Sequence, residues 1–317
     1  MKPTAITISH ISDVHLAPLI GFGPRHWNIK RFLGYANWQL KRRKIHLRTV
    51  LDRLVDDIKA QGADHIVVTG DLVNVGLPGE YERALAWLRN LGPPERVSVV
   101  PGNHDIYARL RTDPGVGRWG AYMKSDSWGS ELASGPAPHF PYVRRIGDIA
   151  VIGLNSAVIT RPGVASGRLG EAQVREAARL LREIGSRQIF RLVLIHHPPL
   201  PGQAPPLRAL QDASAFRAML EQEGADLVIH GHNHRDDVAW CPSQTGPIPI
   251  VGIASGSLGR VHGHEPLARY NIYSIARSGD GWEVGLHGRG LSQPDGAVVE
   301  LERRFIKADM QAPTASG

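Results

Sequence analysis

Residues 6–15 read Ile6-Thr7-Ile8-Ser9-His10-Ile11-Ser12-Asp13-Val14-His15, an apolar, β-branched run that stops on two side chains able to bind metal. Its length and composition are those of a buried strand. The arrangement recurs four times. Ile66 to Val68 precedes Gly70-Asp71, Val97 to Val100 precedes Gly102-Asn103-His104-Asp105, Leu192 to Ile195 runs into His196-His197-Pro198, and Leu227 to Ile229 precedes Gly231-His232-Asn233-His234. In open α/β sheets the loops at the carboxyl ends of several strands converge, and ligands gather there. The pattern therefore predicts that segments scattered from Asp13 to His234 meet at one place.

Taken singly, each motif has a plainer reading. Asp13 or Asp71 alone is a turn residue or helix cap, Asn103 after Gly102 is a turn signal, and a lone His15, His196 or His232 is a hydrogen-bonded imidazole. Five independent turns have no reason to carry this donor set at five strand ends, so a shared metal site explains more. Carboxylates, imidazoles and one amide, with no thiolate, suit Mn, Fe or Zn. Two such ions point to hydrolysis, of a phosphate ester first.

The series DxH, GD, GNHD, H and GHxH resembles the calcineurin-like metallophosphoesterases, and its spacing, with the His196-His197-Pro198-Pro199 run, is similar to that of class III cyclic-nucleotide phosphodiesterases. Carried over by position, the resemblance implies that Asp13, His15 and His234 hold one metal, that Asn103, His196 and His232 hold the other, and that Asp71 bridges them. It implies that His104 faces the substrate phosphate and leaving oxygen, with Asp105 orienting it. Where the purple acid phosphatases of this superfamily have a tyrosine ligand three residues after the bridging aspartate, this chain has Asn74, which argues against a ferric-tyrosinate centre. The fold implied is α/β, a β-sandwich flanked by helices with the dimetal site at strand carboxyl ends. Two divalent ions about 3.5–4 Å apart lower the pKa of a bound water and clamp attacking and leaving oxygens, so the implied reaction is in-line attack on phosphorus by a metal-bridging hydroxide, with His104 protonating the leaving alkoxide.

Helical periodicity fills the gaps. Leu47, Leu51, Leu54 and Ile58 lead to Gly62; Tyr81, Ala84, Leu85 and Leu88 to Gly92; Val174, Ala178, Leu181 and Ile184 to Gly185; Phe216, Met219 and Leu220 to Gly224. Ile149 to Leu154 and Ile248 to Ile253 read as further strands, and Asn271 to Ile275 with Trp282 to Leu286 as a late hairpin. The reading is one domain over residues 1–302, with a disordered tail from 303 to 317. Ile106 to Pro141, dense in Gly, Pro, Ser and Trp, reads as an irregular loop after Asp105, from which Tyr107, Arg109 or Trp119 could reach substrate. His197 and His230 read as packing or orienting neighbours of ligands, His262 and His264 as loop or rim residues, and Asn155 with Ser156 as a turn at or near the site.

Charge is distributed unevenly. The chain of 317 residues has a formal net charge of +7, yet the eight Lys or Arg residues from Arg25 to Arg48 occur without one acid, so the remainder carries 7 − 8 = −1. Such local basicity supports no nucleic-acid partner for the whole body. The same stretch, part of a basic aromatic insertion over 19–48, holds Phe22, Trp27, Phe32, Tyr35 and Trp38 and ends in Lys41-Arg42-Arg43-Lys44. Aromatics on one face and cations on another describe a helix lying on anionic lipid; the alternative is a helix packed on the core with a solvated basic face. The single cysteine, Cys241, precludes an internal disulfide and suits a reducing compartment. The first ten residues lack the basic start and apolar stretch of a secretory signal, and no apolar stretch approaches the roughly 20 residues that span a bilayer. The expectation is a cytoplasmic protein, either free or peripheral to the inner membrane face.

Three functions fit: a phosphodiesterase acting on a small soluble ester, a peripheral hydrolase of a lipid-linked phosphoester or diphosphate, and an inactive scaffold. The complete ligand set disfavours the scaffold, since so many converging carboxylates and imidazoles need a metal to neutralise them. Oligomeric state is not legible.

Overall fold

The computed structural model describes residues 5–19, 21–110, 113–133, 140–279 and 281–307. Twelve strands occupy Ile6–Ile11 (β1), His65–Val68 (β2), Val97–Val99 (β3), Tyr142–Ile146 (β4), Ile149–Gly153 (β5), Phe190–Leu194 (β6), Leu227–His230 (β7), Asp237–Cys241 (β8), Ile248–Gly252 (β9), Arg269–Ser278 (β10), Gly281–Leu291 (β11) and Val298–Lys307 (β12). Six α-helices occupy Ile29–Leu40 (α1), Arg48–Gln61 (α2), Pro78–Leu91 (α3), Ser127–Leu132 (α4), Glu171–Ser186 (α5) and Ala213–Glu223 (α6).

The strands form two six-stranded sheets, ordered β12-β11-β10-β1-β2-β3 and β4-β5-β6-β7-β9-β8. In the first, β1, β2 and β3 are parallel while β10 to β12 continue as an antiparallel meander. In the second, β5, β6, β7 and β9 are parallel between antiparallel edges β4 and β8. Parallel strands need crossovers, and the helices supply them. Inward residues of both sheets, among them Ile8, Val67 and Val99 facing Val151, Leu192 and Leu227, share one apolar cluster with the buried stripes of α2 and α3. The opposite face of the second sheet packs against α5 and α6 through Ile152, Val193, Leu181 and Phe216. This is the helix-flanked sandwich expected. Among the described residues no helix is long and apolar enough to cross a membrane.

Two expectations need correction. The segment after Asp105 is ordered by a 3₁₀ stretch over Gly115–Tyr122 and by α4. Trp119 is fully buried in it, with its indole N–H donating to the Tyr81 carbonyl at 3.0 Å, so it is a packing anchor and not a substrate contact. Residues 303–307 of the expected tail are the end of β12, because each pairs with or flanks β11 in register; 308–317 lie outside the described residues.

Candidate metal centre

β1, β2 and β3 from one sheet and β6 and β7 from the other end on the same side of the sandwich, and all five motifs lie in the loops that follow. The β1–β2 pairing continues past the strands through Asp13 N to Gly70 O and His15 N to Asp71 O, both 3.0 Å. The two sheets are tied across the site by His232 N donating to Asp13 Oδ2 at 3.0 Å. Backbone strain concentrates here. Among the described residues seven non-glycine residues have positive φ, and five of them are Asp13 (53°), His15 (40°), Asp71 (56°), His232 (68°) and His234 (52°). Left-handed backbone costs an ordinary residue about 1–2 kcal/mol, and here it turns alternate side chains such as Asp13 and His15 toward one point. A Cβ on Gly102 would lie 2.2 Å from Asp71 Oδ1, and one on Gly231 would lie 2.4 Å from Asp13 Oδ2. Close approach, not turn preference, requires glycine at both.

The donor atoms form two groups. His196 Nε2 and His232 Nδ1 lie 3.1 and 2.9 Å from Asn103 Oδ1 and 3.3 Å from each other, with Asp71 Oδ1 3.6 Å from His196 Nε2. Asp13 Oδ1 lies 3.2 Å from His234 Nε2, which is 3.4 Å from His15 Nε2, and that nitrogen is 3.9 Å from Asp71 Oδ2. Asp71 thus turns one oxygen to each group. Donors held about 2.0–2.2 Å from a common ion lie about 3.0–3.5 Å apart, so both sets fit a cation. His232 Nε2 is buried with no hydrogen-bond partner among the described residues. Groups of donors close enough to hold a metal ion include Asp13 with His15 and His234, His15 with Asp71 and His104, and Asp13 with Asp71 and His196.

The far ring nitrogens of His196, His15 and His234 are anchored, which orients those rings. His196 Nδ1 bonds Thr69 O at 2.6 Å, His15 Nδ1 bonds Val73 O at 3.3 Å, and His234 Nδ1 bonds Glu265 Oε2 at 3.0 Å. Electrostatics follow the crowding. Burial and then the Asp13 charge push Asp71 up to about 8, whereas His234 holds Asp13 well below the usual carboxylate range despite burial. Against its burial, His234 is raised to about 9 by Asp13 and Glu265. Burial, then the Arg42 charge, takes His15 and His104 well below the ordinary imidazole value.

His104 Nδ1 bonds Asn74 O at 2.5 Å, leaving Nε2 toward a pocket of about 280 Å³ that Asp71, Asn103, His104, His232 and His234 line. Asp105 does not orient that ring. Its carboxylate instead accepts four backbone N–H groups, of Asp71, Leu72, Val73 and Gly102, at 2.8–3.0 Å. Burial and the nearby Asp71 charge raise it to about 7 even so. It shapes the loop that carries Asp71. Tyr107 stacks on His104 with ring centroids 5.6 Å apart but donates its hydroxyl to Lys30 O at 3.1 Å, and neither it nor Arg109 lines the pocket.

His197 stands near enough to His196 and His232 to join them in a metal group, yet both its ring nitrogens are engaged, by Ser156 Oγ at 2.8 Å and Ala165 O at 3.1 Å. It packs behind the centre, and Ser156 with it; Asn155 caps its own turn through Ala157 N. His262 is a rim residue. Sequence reasoning missed Glu265, His46 and two arginines. His46 packs edge-on against His15 at 4.8 Å, and Arg208 donates to His232 O at 2.8 Å. Glu265 carried a signal as the acid beside the His262-Gly263-His264 pattern, and Arg42 as a member of the Lys41-Arg42-Arg43-Lys44 run between the first two motifs.

Comparison with known proteins agrees with this geometry. A probable cyclic nucleotide phosphodiesterase of Synechococcus sp. is 28% identical over 182 residues, covering 56% of this chain and 61% of that protein. The glycerophosphodiester phosphodiesterase GpdQ of Enterobacter lignolyticus is 30% identical over 177 residues, covering 54% and 56%. The match thus spans less than two thirds of either relative's length. A dimetal phosphatase from Danio rerio shares the fold, with a TM-score of 0.59 at 16% identity over 94% of this chain and 98% of that one. The profile of the calcineurin-like phosphoesterases matches residues 6–236, more than half of the chain, which places the protein in the calcineurin-like phosphoesterase family.

Proposed function

We propose that the protein is a dimetal-dependent phosphodiesterase. The observation that carries this reading is the pair of donor sets joined through the two oxygens of Asp71. Asp13, His15 and His234 would hold one ion, and Asn103, His196 and His232 the other. Ions bound there supply a water activated near neutral pH and charge to stabilise both oxygens of an in-line displacement. Mn, Fe and Zn all suit the donors.

The chain's own part is positioning and proton handling. Asp105 and the glycines hold the loop backbone, Glu265 aligns His234, and Asn74 O aligns His104 with Nε2 facing the pocket. With Nε2 facing the pocket, His104 is placed to pass a proton to the leaving oxygen, and a phosphoryl anion beside it favours the protonated ring. Kinship with two diesterases supports diesters over monoesters. Metal-reconstituted protein assayed on a phosphomonoester, a cyclic nucleotide, an aryl diester and a nucleotide-linked lipid tests this directly: diester turnover should lead, and absence of turnover on all four would refute the reading.

A second reading, hydrolysis at a membrane surface, is favoured by one feature. Ile29, Phe32, Leu33 and Leu40 form an exposed stripe on α1, 74% and 71% exposed at its two ends, with Trp27 exposed beside it. Lys41, Arg43 and Lys44 are also exposed at its carboxyl end. Apolar area rimmed by cations suits an anionic lipid surface.

A further inference from the structure

The insertion does more than border the site. Its 3₁₀ turn, Arg42–Lys44, delivers Arg42 into the pocket, where Nη2 lies 2.6 Å from His15 Nε2 and Nη1 lies 3.0 Å from His104 Nε2. Asn37, Lys41, Ile45 and His46 of the same insertion line that wall.

The buried arginines among the described residues are neutralised or bonded to carbonyls, Arg31 to those of Val75 and Gly76. Arg191 pairs with Asp226 at 3.0 Å, Arg269 pairs with Asp236 and Glu302, and Arg144 bonds the carbonyls of Pro94, Val97, Ala121 and Lys124. Arg42 has neither arrangement: among the described residues its side chain bonds only imidazole nitrogens. One of these, His15 Nε2, is the nitrogen turned toward Asp13, Asp71 and His234. A single lone pair cannot serve both an arginine and an ion, so occupation of that donor set releases one arm of the guanidinium into the pocket. What is released is a planar fork of donors suited to two oxygens of one phosphoryl group. Arg208, on the other side of the pocket, spends Nη2 on the His232 carbonyl at 2.8 Å.

Resting on the dimetal reading above, we propose that Arg42 binds the phosphoryl oxygens of the substrate. The test is calorimetric titration of inorganic phosphate into the Mn-loaded wild type, Arg42→Ala and Arg42→Lys, with metal content measured on each. All three should hold two ions. Phosphate affinity should fall about 10- to 100-fold in Arg42→Ala, the range of a charge-assisted pair, and by an intermediate amount in Arg42→Lys, which keeps charge but not the fork. In titrations with Mn alone, Arg42→Ala should bind the ions at least as tightly as wild type. Phosphate affinity within twofold of wild type in metal-loaded Arg42→Ala would overturn the proposal, as would loss of metal from that variant, which would make Arg42 a support of the centre. Should Arg42→Ala not fold, Arg42→Lys carries the same comparison. A wild type that takes up no ions removes the dimetal reading itself and this one with it.

Discussion

At the scale of single residues, the site is built from side chains whose second atoms are already committed. His104 is the clearest case: Nδ1 is spent on Asn74 O, so only Nε2 can meet substrate. His104→Ala should retain both metals and lose about 10²- to 10⁴-fold in turnover, the span of positioned acid catalysis. The loss should be largest on esters with poor leaving groups; equal losses on aryl and alkyl esters would show that His104 is not the acid. Glu265, which fixes the His234 ring, should matter for affinity more than chemistry. Glu265→Gln is expected to weaken metal binding about 10- to 100-fold, read by competition with a chelator. The ligand types were legible in the sequence because each stands directly after a short apolar run. The individual roles of Glu265, His46 and Arg42 were not, even though the sequence marks the segments of Glu265 and Arg42, since each acts across a long sequence separation from a segment with no strand before it. The expected tie between Asp105 and His104 failed for a related reason: adjacency in sequence does not show that a carboxylate will turn to the four N–H groups of a neighbouring loop.

At the scale of elements, buried carboxylates hold the loops and sheets in register. Asp105 braces residues 71–73, and Glu80 accepts the N–H groups of Asn74, Val75 and Leu77 at 2.8–3.2 Å. Asp226, before β7, bonds Arg191 of β6 and Lys307 at the end of β12 at 2.8 Å, and so joins one sheet to the other. Despite burial, Arg191 and Lys307 hold its pKa below the ordinary 3.8. The unfolded chain therefore takes up this proton first, and the contribution of Asp226 is present at neutral pH and lost as pH falls below the usual carboxylate range. Urea unfolding at pH 7 should show Asp226→Ala destabilised by about 3–5 kcal/mol, because Arg191 is left charged and unpaired. The gap should narrow toward pH 3, and a gap that stays constant would contradict the linkage. The main strands and four of the helices were legible from period and from glycine stops. β4, β8 and β12 were not, because edge strands carry polar and charged residues such as Arg144, Asp237 and Glu300 that break the apolar run.

At the scale of the molecule, the two sheets contribute opposite halves of one centre, and the insertion joins an exposed apolar stripe to the pocket wall. The basic run is divided accordingly: Arg42 faces the site, Lys41 stands exposed at the pocket rim, and Arg43 and Lys44 are exposed beyond it. Cosedimentation with vesicles containing anionic lipid should therefore fall when Phe32 and Leu33 are changed to Glu, and when Lys41, Arg43 and Lys44 are reversed in charge with Arg42 kept. Equal, negligible binding by wild type and both variants would remove the membrane reading and leave the diesterase reading intact.

The central claim is that two cations share Asp71. Metal content of the Mn-loaded, gel-filtered protein, counted per chain by plasma mass spectrometry, tests it most directly: the account predicts two ions in the wild type and one or fewer in Asp71→Ala. A wild type holding fewer than two ions, or an Asp71→Ala variant that keeps both, would contradict it.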